Sequence, residues 1–148
     1  GVEAVVIGGL AVAAHGHVRA TKDLDIVPSA SAENLARLAR LLRDLGAEQW
    51  GTGDFHSSEF PYDPLDPEQL AAGGNFVLDT RFGRLDIMQW VPGIDEDDAF
   101  AVLRADAIPV DVSGVPMLVC SREHLIALKR AAGRPQDLQD LRELGEDV

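Results

Sequence analysis

Three aspartates stand between core-type residues in two segments that alternate like β-strands. Asp23 and Asp25 belong to DLDIV (23–27), and Asp86 lies within RLDIMQWV (84–91). Because side chains alternate along a strand, the first two aspartates point to one face, while the leucine and isoleucine that follow them point to the other. If the two strands are neighbours in a sheet, three carboxylates converge on one side of it.

Carboxylates that converge in this way favour a bound divalent cation. Like charges so close raise one another's pKa, and one or more of the groups tends to keep its proton. A divalent cation removes this conflict. Hard oxygen ligands suit Mg²⁺, which takes one or two carboxylates and completes its shell with water and substrate phosphate.

A pair of glycines precedes the first two aspartates. The apolar run EAVVI (3–7) predicts a buried strand ending at Gly8-Gly9, and LAVAAH (10–15) predicts a short helix closed by Gly16. The N–H groups at a helix start favour anions, and a turn without side chains lets a phosphate approach the backbone. Each motif alone is more often structural, but together within one strand–helix–strand unit they favour a metal–nucleotide site.

Length, composition and charge limit the class of protein. The chain has 148 residues, 46% hydrophobic and 26% charged, which fits one globular domain over 1–148 with its own core. Its net charge is −12, so the surface as a whole repels polyanions and does not predict a general nucleic-acid binder. A polyanionic substrate could bind only where metal ions or a local basic patch reverse the sign.

Cysteine usage and hydropathy predict the compartment. Cys120 is the only cysteine, so no internal disulfide can form, and a reducing cytoplasm is expected. No apolar run approaches the roughly 20 residues of a membrane span. No signal-peptide pattern is present, and the chain opens at Gly1 on the approach to a strand, which is compatible with a preceding segment.

The remaining segments alternate between helix and strand patterns. Ser31 caps a helix over 34–45 that ends at Gly46. Residues 51–74, rich in Gly, Pro and Asp, predict a loop with one helical turn at PEQLAA (67–72). The other predicted elements are strands over 75–80, 84–91, 109–112 and 115–119 and helices over 95–104, 122–132 and 136–144. This order predicts a mixed α+β fold, a small mixed sheet flanked by helices, with the C-terminal helices (121–145) packed on or beside the core.

The motifs resemble those of a known superfamily. The nucleotidyltransferase superfamily that includes DNA polymerase β has a signature that this chain resembles at Gly8-Gly9, Arg19, Thr21 and Asp23-Leu24-Asp25. The nearest likeness is to the bacterial group of AbiEii-type toxins and related uncharacterised proteins, in which GG, a short helix, HG, an Arg and T-x-D-x-D follow in this order. LIALKRAAGRPQDLQDL (125–141) is similar to that group's Lys-bearing and Asp-bearing helices, and only 48–75 lies outside the likeness.

The resemblance implies the nucleotidyltransferase fold and a two-metal site. Asp23 and Asp25 would bind two Mg²⁺ ions, and Asp86 would be the third carboxylate, which helps one ion activate the acceptor hydroxyl. Gly8 and Gly9 would receive the triphosphate oxygens of the NTP. Many members of the superfamily have Gly-Ser at these two positions, so a hydroxyl that could touch a phosphate or a metal is missing here.

The resemblance also implies supporting residues for the nucleotide. Lys129 matches a lysine that contacts the phosphates, and either Asp137 or Asp140 matches a late acid. Arg19 and Thr21 would belong to the nucleotide site. Each has a structural alternative. The arginine could pair with a carboxylate on the surface, the threonine could be a turn or strand-entry residue, and a lysine in an amphipathic helix is ordinarily solvated.

Two classes of function follow. The first is an enzyme that transfers a nucleoside monophosphate from an NTP to a hydroxyl of a tRNA 3′ end, a protein or a small molecule. In one version of this hypothesis the enzyme is the toxin of a toxin–antitoxin pair and has a cognate antitoxin as its partner. The acidity counts against RNA, unless arginines gather into local patches, the candidates being Arg37, Arg40, Arg43, Arg130 and Arg134. The alternative is a non-catalytic module that binds a nucleotide or a toxin–antitoxin partner.

Overall fold

The computed structural model describes residues 1–50 and 61–148. Within them the chain forms a mixed α+β fold around a seven-stranded sheet of order β3-β4-β5-β2-β1-β7-β6. The strands are β1 (Ala4–Ile7), β2 (Asp23–Pro28), β3 (Glu48–Gln49), β4 (Asn75–Thr80), β5 (Gly83–Met88), β6 (Ile108–Val112) and β7 (Val115–Val119). The helices are α1 (Gly8–Ala14), α2 (Ala32–Asp44), α3 (Pro67–Ala71), α4 (Ala99–Ala105), α5 (Arg122–Ala132) and α6 (Pro135–Glu143). The predicted fold class is confirmed.

The pairing of the central strands brings distant segments together. Strand β2 lies between β1, which it pairs with antiparallel, and β5, which it pairs with in parallel. Strand β1 also pairs in parallel with β7. Because β2 and β5 are parallel neighbours, the two segments that carry the aspartates run side by side in the same direction.

Helix α2 is held to the sheet by its apolar stripe and by one buried polar side chain. Its N-cap, Ser31, accepts a hydrogen bond from the backbone N–H of Asn34, and the side chains of Leu35, Leu38 and Leu42 are buried. The Asn34 amide, itself fully buried, accepts from the Glu3 N–H at 2.7 Å and donates to the carbonyls of Glu3 and Ser29 at 2.9 Å each. One amide therefore satisfies backbone groups beside β1 and at the end of β2.

The C-terminal helices form an α-hairpin beside the sheet. Helix α5 is capped by Ser121 and closes at Gly133, whose φ of +61° is the left-handed conformation typical of a helix end. Pro135 occupies the first turn of α6, where its missing N–H costs nothing. Helix α5 contacts both α6 and α1, so this hairpin lies close to the glycine pair.

Several element boundaries differ from the predicted ones. Helix α1 begins at Gly8 rather than at residue 10, so both glycines lie in its first turn. Strand β5 ends at Met88, because the Asn75 side chain accepts the next two backbone N–H groups, those of Gln89 and Trp90. Helix α4 begins at Ala99 rather than 95, since Asp98 caps it.

Only part of the loop predicted over 51–74 lies within the described residues. Residues 51–60 lie outside the described residues. The expected helical turn is present as α3, with Asp66 as its N-cap. No helix in the described part of the chain is long and apolar enough to cross a membrane.

Replacing Asn34 by alanine is expected to lower the free energy of unfolding by about 3 kcal/mol, because buried backbone groups lose their partners. Urea denaturation followed by circular dichroism measures the change. Glu33→Ala is the control on the same helix turn, since it removes an exposed pair with Arg37 that is worth under about 0.5 kcal/mol. Equal losses in the two variants would contradict this account of Asn34.

Candidate active site

The three aspartates of the sequence motif line one cleft. In the register of β2 and β5, Asp25 is paired with Asp86 and Asp23 with Arg84. All four side chains border a cleft of about 760 Å³, here called the polar cleft. The expected adjacency of the two strands is confirmed, and the three carboxylates are gathered by it.

Burial and mutual repulsion raise the pKa of two of these carboxylates. Burial, and then the charges of Asp25 and Asp23, raise the pKa of Asp86 to about 6, against opposing effects of Arg84 and Arg134. Burial, and then Asp23, also raise the pKa of Asp25. The nearby cations therefore do not balance the carboxylates on their own.

One carboxylate oxygen is left without a protein partner. Asp86 Oδ1 is buried and has no hydrogen-bond partner among the described residues. A buried, unpartnered acceptor beside two further carboxylates is the donor chemistry that suits a hard divalent cation. As the side chains stand, no group of three or more His, Cys, Asp or Glu residues over 1–50 and 61–148 is arranged to hold a metal ion.

The glycine pair lets β2 and its neighbouring segment approach α1. Gly8 has φ +65°, and a Cβ there would lie 1.9 Å from Asp25 Oδ2, so any side chain would displace this carboxylate. A Cβ at Gly9 would lie 2.7 Å from Thr21 Oγ1 and 3.2 Å from Arg19 Nη2. The space in which a residue-9 side chain would begin is therefore occupied by the Thr21 hydroxyl.

A chain of ion pairs forms the opposite wall of the cleft. Arg19 donates to Asp140 through Nε and Nη2 at 2.8 and 3.0 Å, and Lys129 Nζ donates to the same carboxylate at 2.6 Å. Lys129 Nζ also donates to Asp137 at 3.2 Å, and Arg134 Nε donates to Asp137 at 2.7 Å. Three cations and two carboxylates give this ion network one net positive charge.

The two acids of the ion network are ionised in the fold. Although burial acts to raise the pKa of Asp137, hydrogen bonds and charges of Arg134 and Lys129 lower it below its ordinary value. Burial likewise acts to raise the pKa of Asp140, but hydrogen bonds from Arg19 and Lys129 lower it. Lys129, Asp137 and Asp140 are all buried, so this is an interior ionic cluster rather than a surface pair.

Nearly all the residues singled out from the sequence border the polar cleft. Those that line it are Gly8, Gly9, Arg19, Thr21, Asp23, Asp25, Asp86, Lys129 and Asp137. Asp140 is buried against it through Arg19 and Lys129. Lys129 thus lies beneath the cleft surface, with two carboxylate partners. Arg19 is paired with a carboxylate, but this partner is buried, whereas its structural alternative placed the pair on the surface.

Several residues that line the polar cleft were not predicted as site residues, and two of them are arginines. Arg84 is two residues before Asp86, so the period of two along a strand places it on the same face. From the sequence, Arg134 was considered only for a local basic patch, yet Arg134 lines the polar cleft, and its side chain is 75% exposed. Its position between the end of α5 and the first turn of α6, at Gly-Arg-Pro, was the available signal.

Solved structures share this fold. The lincosamide antibiotic adenylyltransferase LnuA, lincomycin-bound, matches with a TM-score of 0.60 and 15% identity over 97% of this chain and 86% of that chain. TM1012 of Thermotoga maritima, assigned as a nucleotidyltransferase, gives 0.57 and 17% over 97% and 81%. ANT(2″)-Ia in complex with adenylyl-2″-tobramycin gives 0.56 and 18% over 95% and 76%.

These matches define the class of fold. The chain has the nucleotidyltransferase fold. No protein-family model and no curated protein matches the chain. The narrower likeness to AbiEii-type toxins stays a prediction.

Gly9→Ala is expected to destabilise the chain by about 1–2 kcal/mol, because the added methyl group meets Thr21 in a packed region. Without that contact, alanine would favour a helix over glycine by about 1 kcal/mol. In a Thr21→Gly background, Gly9→Ala should therefore become neutral or stabilising. Thermal and urea denaturation of the four members of this double-mutant cycle measure the coupling. A cycle without coupling would contradict the proposed steric contact.

Asp86→Asn is expected to stabilise the metal-free chain at pH 7. The folded-state pKa of about 6 lies above the ordinary 3.8, so the folded chain keeps a proton that the unfolded chain releases between these values. The free energy of unfolding of the unsubstituted chain therefore falls as pH rises through this window, and an amide escapes that loss. After discounting for solvent screening, the gain at pH 7 is about 1 kcal/mol.

Urea denaturation in EDTA at pH 4 and pH 7 measures this difference. The two proteins should have equal stability near pH 4 and diverge by pH 7. Asp106→Asn, at the exposed end of α4, controls for the change in net charge. Lower stability of Asp86→Asn at pH 7 would contradict the repulsion account.

Proposed function

We propose that this chain transfers a nucleoside monophosphate from an NTP to an acceptor hydroxyl, with Mg²⁺ as cofactor. The observation that carries the proposal is the gathering of Asp23, Asp25 and Asp86 against the glycine start of α1. Carboxylates on one side and a net-positive ion network on the other provide both halves of a metal–triphosphate site. The nucleotidyltransferase fold of the chain supports this chemistry.

In this proposal the three aspartates hold two metal ions. Bound there, two Mg²⁺ ions would lower the pKa of the attacking hydroxyl and offset the charge that develops on the leaving pyrophosphate. Asp25 and Asp86 are paired across β2 and β5, so these two groups fix the reaction centre on rigid strands. Because the pKa of each is raised, a cation would compete with a proton for these carboxylates.

The opposite wall would bind the triphosphate. The backbone at Gly8 and Gly9 has no side chain to block a phosphate, and the Thr21 hydroxyl stands beside it. Arg134 is the exposed cation of the ion network, so its guanidinium can reach a phosphate with donors that remain after pairing with Asp137. Lys129 acts from beneath, because its two carboxylate partners hold it in place.

Both enzymes with described acceptors among the structural neighbours act on small molecules. LnuA was solved with lincomycin, and ANT(2″)-Ia with adenylylated tobramycin. The chain's net charge of −12 counts against a polyanionic acceptor such as tRNA. A toxin role with a cognate antitoxin rests on motif resemblance alone.

Asp25→Asn is expected to reduce nucleotidyl transfer by about 10³-fold, because it removes a charge at the reaction centre while keeping the side-chain shape. Pyrophosphate release measures the rate, with each of the four NTPs, Mg²⁺ and a panel of RNA, protein and small-molecule acceptors. Asp106→Asn is the control for charge, and Tm values confirm folding. In a titration with Mn²⁺ or Mg²⁺, Asp25→Asn should need a higher metal concentration to reach half of its maximal rate.

Two results would contradict the proposed function or its site. Equal rates for Asp25→Asn and the unsubstituted chain would place the chemistry elsewhere. Tight binding of ATP and Mg²⁺ by calorimetry, without turnover on any acceptor, would instead favour the non-catalytic nucleotide-binding module.

A further inference from the structure

A second, mostly apolar cavity adjoins the polar cleft. Its volume is about 440 Å³, and it lies between β4, β5 and helix α5. We call it the apolar pocket, and its apolar lining includes Val77, Met88, Val91, Leu125, Leu128 and Ala132. Asp25 and Asp86 line this pocket as well as the polar cleft, so the two spaces meet at the carboxylates. Its size is in the range of small-molecule sites, about 300–1,000 Å³.

The apolar pocket occupies the same sheet face as the carboxylates. Along β5 the alternate positions Arg84, Asp86 and Met88 face one side, so this face changes from charged to apolar within five residues. Val77 of β4 is paired with Asp86 and is 39% exposed, although valine in the middle of a sheet is ordinarily covered. An exposed valine beside a reactive carboxylate indicates a ligand surface rather than core.

The amide of Asn75, which lines the apolar pocket, is already engaged by nearby backbone groups. Asn75 donates to the Trp90 carbonyl at 2.8 Å and accepts from the N–H groups of Gln89 and Trp90 at 2.9 and 3.0 Å. These bonds engage both of its polar atoms. The polar groups that line the pocket besides Asn75 are the charged ones shared with the polar cleft. The apolar wall therefore suits a hydrocarbon body better than a base.

An acidic groove, here called the acidic mouth, adjoins the apolar pocket. This groove shares Met88, Val91 and Pro92 with the pocket and is lined further along by Asp95, Glu96 and Asp97. These three side chains are exposed. Negative charge beside an apolar cavity attracts a cationic group of a ligand and repels a polyanion.

We propose that the apolar pocket is the acceptor subsite and takes a small molecule with an apolar body, a hydroxyl and an ammonium group. This rests on the proposed function. The body fills the apolar pocket, the ammonium lies at the acidic mouth, and the hydroxyl reaches the carboxylates. The acceptor oxygen forms a bond to the α-phosphorus as the bond from that phosphorus to pyrophosphate breaks, and the hydroxyl proton passes to solvent. RNA and protein are thereby excluded as the preferred acceptors.

Three matched alcohols and one RNA test the proposal. The probes are 3-amino-3-phenylpropan-1-ol (cation), 3-phenylpropan-1-ol (neutral), 4-hydroxy-2-phenylbutanoate (anion) and a short RNA with a free 3′ hydroxyl. Calorimetry without nucleotide measures binding, and pyrophosphate release with ATP and Mg²⁺ measures transfer. We expect the cation to bind at least about tenfold more tightly than the anion, and the neutral alcohol to lie between them.

Two sets of variants locate the binding. Val77→Phe fills the apolar pocket and should weaken binding of the cationic probe about tenfold without changing the KM for ATP. Val112→Phe, at a similarly exposed valine on the edge strand β6, is its control. The triple variant Asp95→Asn/Glu96→Gln/Asp97→Asn should abolish the preference for the cation. Asp106→Asn/Glu123→Gln/Asp147→Asn changes the net charge equally at exposed sites away from this mouth.

Each outcome decides one claim. The inference is overturned if the anion binds as well as the cation, if RNA is the better acceptor, or if Val77→Phe acts like Val112→Phe. It is also overturned if Val77→Phe raises the KM for ATP, since the apolar pocket would then hold the base. If probes bind in the predicted order but no acceptor is ever modified, the inferred ligand class stands and the proposed function fails.

Discussion

The repulsion between carboxylates on adjacent parallel strands is the constraint on which the rest of the site depends. Asp25 and Asp86 are paired in register, and Asp23 lies on the same face. Burial and these like charges raise the pKa of the first two, so the fold disfavours their charged forms relative to water. Such an arrangement lowers the stability of the fold, and the binding of a ligand can offset this loss. This pattern is common at functional sites.

The ion network offsets this repulsion from the opposite wall. Arg134 and Lys129 both act to lower the pKa of Asp25, yet each is held by an acid of α6. Removing one partner of a buried ion pair is far more costly than its net contribution, because an uncompensated charge remains. The network therefore acts as a unit that fixes the C-terminal helices against the sheet and keeps positive charge at a set distance from the carboxylates.

Features that depend on local periodicity, such as strand faces and helix positions, could be predicted from the sequence. Burial and exposure that depend on how distant segments pack could not. Alternation placed Asp23 and Asp25 on one face, and capping residues located α2 and α5 closely. The burial of Lys129 could not be predicted, because its partners lie 8 and 11 residues later in another helix. The exposure of Val77 was equally invisible, since a β-branched residue in a strand ordinarily indicates core. Gly8 was expected to admit a phosphate, but in the structure it first admits Asp25.

The close approach of the segment before β2 to helix α1 explains why position 9 lacks a side chain. The segment that leads into β2 must cross close to α1, because β1 and β2 are antiparallel neighbours joined through that helix. Thr21 and Arg19 belong to this segment and lie against Gly9, and Arg19 continues to Asp140 in α6. A larger residue at 9 would push this segment outward and stretch the ion pair. The glycine therefore links the close approach at α1 to the ion network, and the hydroxyl at that point is supplied by Thr21 instead.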